Sequence, residues 1–182
     1  METHIIQFPA PQSGKISLVV APRAVVPSLM TMLAALALHG RVIVVDGGNC
    51  FDGYALARAL RRQTHLVQAA LERVLLSRAF TCYQMAAMLA ELPIDGTPVL
   101  VLDLLSTFLD ENVALSKRQR LLGNSLSLLR RISVGAPVAI WARSRTTPTG
   151  EDQHLLKPLL EAARAIWELE TPVVPEHQMP LF

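Results

Sequence analysis

The sequence predicts a single α/β domain, doubly wound on a mainly parallel sheet with helices on both faces, and three observations predict it. Short runs rich in Val, Ile and Leu recur along the chain: ISLVVA (16–21), RVIVVD (41–46), PVLVLDLL (98–105) and PVAIWAR (137–143). Segments with helical periodicity separate them. The runs are continuously apolar rather than alternating, which is what a strand buried on both faces requires, and parallel strands need helical crossovers between them. No internal repeat and no linker divides the chain. The expected organisation is an N-terminal extension (1–12), a core domain (13–170) and an extended C-terminal tail (171–182) that carries three prolines.

Each element has its own signal. ISLVVA is the first strand. Ser28 reads as the cap of a helix running to His39, and Gly40 ends it. RVIVVD is the second strand and runs into the turn residues GGN. Asp52 caps a helix over 52–62, a second helical stretch covers 66–73, and VLLSRAF (74–80) is a third strand. Thr81 caps the helix that Pro93 breaks. PVLVLDLL is the fourth strand, 116–132 a long helix, PVAIWAR the fifth strand and 146–152 a loop. Residues 154–164 form the last helix and AIWELE (165–170) the last strand.

Composition narrows the function classes. Hydrophobic residues make up 51% of the 182 and charged residues 18%, which excludes disorder for most of the length and points to self-association or a partner surface. The longest apolar stretch, 24–38, contains Pro27 and Ser28 and falls short of the roughly 20 residues of a membrane span. METHIIQFP has an acid and no basic region, so it does not read as a signal peptide. Cys50 and Cys82 lack CxxC spacing and read as reduced thiols, and the five histidines lack ligand spacing. The expectation is a cytoplasmic protein without a metal and without a cofactor.

The net charge is +2, and its distribution is uneven. Between Glu111 and Glu151 there is no acid, while Lys117, Arg118, Arg120, Arg130, Arg131, Arg143 and Arg145 all fall there. On a helical wheel of 116–132, Lys117, Arg120, Asn124, Ser127 and Arg131 share a stripe opposite Leu115, Leu122, Leu126 and Leu129. Such a stripe fits a polyanion on one face, and it equally fits a solvated helix surface.

The order and wording of these segments resemble the core of the RecA/RadA recombinase superfamily over roughly residues 13–170. SGKISLVVAP is similar to the family's first core strand, and RVIVVDGGNCFD to the second strand and its turn. LSRAFTCYQMAAMLAEL is similar to the strand end and following helix of the archaeal and eukaryotic recombinases. VLVLDLLSTF resembles the Walker B strand, and KRQRLLGNSLSLLRRIS the next helix. The resemblance implies a nucleotide loop between the first strand and the first helix. That loop normally wraps phosphates with glycine N–H groups and reaches the terminal phosphate with lysine. Here the degenerate loop holds Ala21, Arg23 and Val26, with Pro27 at the lysine position and only Ser28 matching the magnesium position. Gly48 stands where the family has its water-activating glutamate. Trp141, Ala142 and Arg143 stand in place of the polar sensor. Asp103 keeps the Walker B position, and it reads either as that remnant or as a buried structural acid at a strand end.

The expectation is a non-catalytic RecA-like accessory protein of DNA repair, recombination or damage tolerance. By the resemblance, the segment after the fifth strand contributes to DNA binding. Arg143 and Arg145, with Lys117, Arg120 and Arg131, are then the candidates for weak, sequence-independent phosphate contacts. The final QMPLF resembles the pentapeptide by which bacterial polymerases and repair factors dock on the DNA sliding clamp. Gln178 would fill a polar subsite, and Met179, Leu181 and Phe182 would fill an apolar pocket. A recombinase or polymerase subunit and a second copy of the chain are further partners. Two other readings stand: a RecA-fold regulator without a DNA role, as in bacterial cell-division inhibition, and an ATPase with a non-standard loop.

Overall fold

A computed structural model of the chain describes residues 6–144 and 150–169. They form a six-stranded, all-parallel sheet in the order β3-β2-β4-β5-β1-β6, with β1 (Ile16–Ala21), β2 (Val42–Asp46), β3 (Val74–Arg78), β4 (Val99–Leu102), β5 (Val138–Arg143) and β6 (Ala165–Glu168). The helices are α1 (Val26–His39), α2 (Gly53–Arg61), α3 (Val67–Leu71), α4 (Cys82–Ala90), α5 (Leu115–Ser133) and α6 (Gly150–Ala162). Among the described residues, no helix is long and apolar enough to cross a membrane.

The chain steps in one direction along the sheet from β1 through β2 to β3, then returns through β4 and β5 to β6. Crossovers of one hand put the helices of the outward steps on one face and those of the return on the other. The core divides accordingly. Val19, Ala21, Val42, Val44, Leu100 and Trp141 pack with the apolar side of α1 and α2. Leu18, Ile43, Val45, Val101 and Ile140 pack with α4, α5 and α6 on the opposite face. Phe8 is buried in the first of these clusters, so part of segment 6–12 is packed on the domain.

Where a side chain satisfies the first free N–H groups, the helix starts as expected. Asp52 accepts from Ala55 N–H at 2.9 Å and Thr81 from Gln84 N–H at 3.2 Å, while Gln84 Oε1 accepts from Phe80 N–H at 2.8 Å. The start of α1 departs from expectation. A 3-10 turn over Arg23–Val25 leads straight into the helix at Val26, with Pro27 in the first turn. Pro27 removes one of the N–H groups that a first turn leaves unpaired, and the 3-10 turn takes up those of Val25 and Val26 with the Pro22 and Arg23 carbonyls. Ser28 is buried, and its Oγ accepts the Ile6 N–H at 2.9 Å.

Two further elements differ. The fourth strand ends at Leu102 because Asp103 turns left-handed (φ 49°), and a 3-10 turn over Leu104–Phe108 follows. The last helix begins at Gly150, ahead of the expected 154, with Glu151 and Asp152 in its first turn, where acids favour the helix dipole. Residues 150–152 therefore belong to the helix rather than to the preceding loop.

Candidate functional site at the carboxyl ends of the strands

In an open parallel sheet, ligands bind outside the carboxyl ends of the strands where the winding direction reverses. Here β2 leads to α2 on one face while its neighbour β4 leads to α5 on the other, so the crevice lies over Asp46 and Asp103. Both acids are buried.

Asp46 is consumed by its own loop. Its carboxylate accepts the N–H groups of Gly48 (3.2 Å), Cys50 (3.0 Å) and Phe51 (3.0 Å) and the Cys50 thiol (3.3 Å), and Arg78 Nε lies 3.5 Å away. The turn GGNCF is thereby wound around one side chain, with Asn49 left-handed at φ 48°. Burial, and then the charge of Asp46, hold the Cys50 thiol far above the ordinary thiol range, so it acts as a hydrogen-bond donor rather than a nucleophile.

Asp103 is held by Arg143. Arg143 Nη2 lies 2.7 Å from Asp103 Oδ2, and the Arg143 N–H donates to Oδ1 at 3.3 Å. Burial raises the Asp103 pKa above the ordinary carboxylate range, and Arg143 opposes that rise. The glycines of the turn are demanded by this arrangement. A Cβ on Gly48 would lie 2.5 Å from Asp103 Oδ2, and one on Gly47 would lie 2.7 Å from Met85 Cε and 2.9 Å from the Asp103 carbonyl oxygen. A glutamate at position 48 therefore has no room unless Asp103 moves.

The loop after β1 is closed by apolar side chains. Ala21, Val25 and Val26 are buried, and Trp141, at the end of β5, donates its indole N–H to the Ala21 carbonyl at 3.0 Å. That bond occupies a carbonyl at the strand end and seats the indole beneath the loop. Arg23 and Ala24 are exposed, and Arg23 and Pro27 rim a shallow polar depression of about 510 Å³ facing Asn49, Phe51, Asp52 and Tyr54. On the other face, a cleft of about 220 Å³ lies between the Leu104–Phe108 turn and α6, lined by Val20, Asp103, Leu105, Leu109, Arg143 and Leu156.

The basic residues do not gather into one patch. Arg120 and Arg131 are exposed and Lys117 is half-buried, its ammonium 5.8 Å from the Tyr83 ring centroid. As the crossover from β4 to β5, α5 runs antiparallel to the strands. Lys117 thus lies near their carboxyl ends and Arg131 about 20 Å along the axis toward their amino ends. Arg118 is buried, donating to the Phe108 carbonyl at 3.2 Å and pairing with Glu151 at 2.7 Å. Arg143 spends its charge on Asp103. Arg145 and the tail residues Gln178, Met179, Leu181 and Phe182 lie outside the described residues.

Sequence reasoning passed over Asp46, Arg78, Cys50 and the burial of Arg118. An acid ending a strand immediately before two glycines was the available signal for Asp46. Among the described residues, no group of three or more His, Cys, Asp or Glu could hold a metal ion. No protein-family model matches the chain, and no curated protein matches it.

Proposed function

We propose that the chain is a non-catalytic accessory protein with a RecA-like architecture, serving DNA repair, recombination or damage tolerance through contacts with other proteins. The observation that carries the non-catalytic part is the closed state of the strand ends. The N–H groups of Val25 and Val26 donate to the Pro22 and Arg23 carbonyls and Pro27 has none, where a phosphate cradle would need open backbone N–H groups, and the Asp103 carboxylate is turned onto the Arg143 guanidinium. With Gly48 pressed against Asp103, the crevice has no room for a base that would activate water.

The working part of this reading rests on the tail. Gln178, Met179, Leu181 and Phe182 supply a polar group and an aliphatic–aromatic anchor, and Pro172, Pro175 and Pro180 limit the entropy lost on docking. The partner is the DNA sliding clamp, with a recombinase or polymerase subunit as a second contact, and the setting is the cytoplasm. DNA contact through Arg120 and Arg131 is a weak, salt-sensitive accessory to this role.

The test is clamp binding by the full chain and by a variant lacking 178–182. Loss of binding with an unchanged melting temperature supports the reading. An intact protein that ignores the clamp, or a truncation that unfolds the domain, refutes it.

A further inference from the structure

A stripe of unpaired cations on α2 carries the inference, and it depends on neither the nucleotide nor the clamp reading. Between Ile6 and Leu71 the chain holds six lysines and arginines, Lys15, Arg23, Arg41, Arg58, Arg61 and Arg62, against two acids. Both acids are committed to the turn after β2. Asp46 is buried under donors from its own loop, and Asp52 caps α2. From Glu72 to Glu168, by contrast, eleven lysines and arginines face ten acids, so the positive excess lies in the first part of the chain.

Three of these cations gather at the end of α2. Arg58, Arg61 and Arg62 are exposed, and among the described residues none of them has an ion pair or a side-chain hydrogen bond. Residues 53–71 supply no acid, and Glu72, at the end of α3, accepts from Gln68 at 3.0 Å. Packing does not account for the arginines, since α2 buries Ala55, Leu56, Ala59 and Leu60. Arg58 and Arg62, four residues apart, set like charges side by side, which costs helix stability. The negative end of the helix dipole lets α2 carry them without paired acids. An aromatic ring continues the stripe. Tyr54, four residues before Arg58, is 87% exposed, and with Arg23 it rims the depression of about 510 Å³. As the crossover from β2 to β3, α2 runs antiparallel to the strands. Arg23, Tyr54, Arg58 and Arg62 therefore follow one another away from the carboxyl ends, the last three over about 12 Å of helix axis.

We propose that this stripe binds single-stranded nucleic acid, with phosphates on Arg58, Arg61 and Arg62 and a base stacked on Tyr54. Charge complementarity selects a polyanion, because the arginines have no acid of their own to satisfy. The exposed ring selects a single strand. Cations beside an aromatic face hold a strand without reading its sequence, whereas a duplex has no free base face to offer Tyr54. Successive side chains of the stripe step by about 6 Å along the axis, the order of the step between phosphates of an extended strand. An anionic membrane fits less well, since the exposed side of α2 is Gly53, Tyr54 and arginines and shows no apolar face to insert.

The experiment is fluorescence anisotropy of a labelled oligothymidylate with the full chain, at low salt and with salt rising. Binding that weakens steeply with salt is expected. Replacing Arg58, Arg61 and Arg62 together by glutamine keeps the helix propensity and should leave the melting temperature unchanged. It should weaken binding at least about tenfold at low salt and lower the slope of log affinity against log salt by about 2. Tyr54→Ala should weaken binding about tenfold with the slope unchanged, and Tyr54→Phe should restore it. The duplex with oligodeoxyadenylate should bind more weakly and ignore Tyr54→Ala. No binding at low salt, or binding indifferent to Tyr54→Ala, would overturn the proposal. So would binding that survives the triple variant and is lost with Arg120→Gln and Arg131→Gln on α5, or capture of the chain by anionic lipid vesicles but not by the oligonucleotide.

Discussion

Asp46 and Asp103 end neighbouring strands, both are buried, and they have been made safe in different ways. Asp46 is surrounded by donors from its own next five residues, three backbone N–H groups and a thiol, with Arg78 at the margin. Asp103 depends on a single residue forty positions away, Arg143. A buried carboxylate can be stabilised by hydrogen bonds or by an opposite charge, and the choice determines what its loss does. Local donors make Asp46 the organiser of a turn. The distant cation makes Asp103 half of a clasp between β4 and β5.

Replacing Asp46 should break this contrast most severely. Asp46→Ala leaves the N–H groups of Gly48, Cys50 and Phe51 without their acceptor and should destabilise the fold by about 4 kcal/mol in urea unfolding. Asp46→Asn keeps one acceptor oxygen and should recover part of that loss. Gly48→Ala comes next at about 3 kcal/mol, because its methyl group would overlap Asp103. Asp103→Gly removes the atoms it would strike, so the double variant should be less damaged than the sum of the two, a coupling of about 1 kcal/mol or more.

Arg143→Ala should have the smallest effect, and it sharpens the comparison through pH. Stripping the partner from buried Asp103 should destabilise by about 2 kcal/mol at neutral pH, below the range for fully buried pairs because Arg143 is partly exposed. Burial already raises the Asp103 pKa in the folded protein, and without Arg143 it rises further. A folded pKa above the unfolded one means that the penalty for the bare carboxylate is present at high pH and absent below the unfolded carboxylate range. The deficit of Arg143→Ala relative to the parent should therefore shrink as the pH falls.

The centre of the sheet was legible in the sequence because β1, β2, β4 and β5 are buried on both faces and read as apolar runs. The helices α2 and α4 were legible because Asp52 and Thr81 cap them with their own side chains. What escaped has a common physical origin in distant partners. The charge run over 116–145 read as a polyanion face or a solvated surface, yet Arg118 is buried against Glu151, thirty-three residues on, and the partly exposed Arg143 is paired with Asp103. The left-handed Asp103 that stops β4 sits inside PVLVLDLL, a run whose hydrophobicity continues past the strand. Ser28 looked like a cap because it precedes an apolar helix, and no local pattern announces that the Ile6 N–H takes its hydroxyl. At the candidate site, the missing glycines and lysine of the loop were readable, but the use of Gly48 as space for Asp103 required the packed structure.

The central claim is that these strand ends are closed to nucleotide, and titration calorimetry with ATP and magnesium tests it most directly. The account predicts no binding heat for the parent protein and none for Pro27→Lys, since a restored lysine does not free the N–H groups of Val25 and Val26 from the Pro22 and Arg23 carbonyls. Saturable ATP binding in the micromolar range by the parent protein would contradict it.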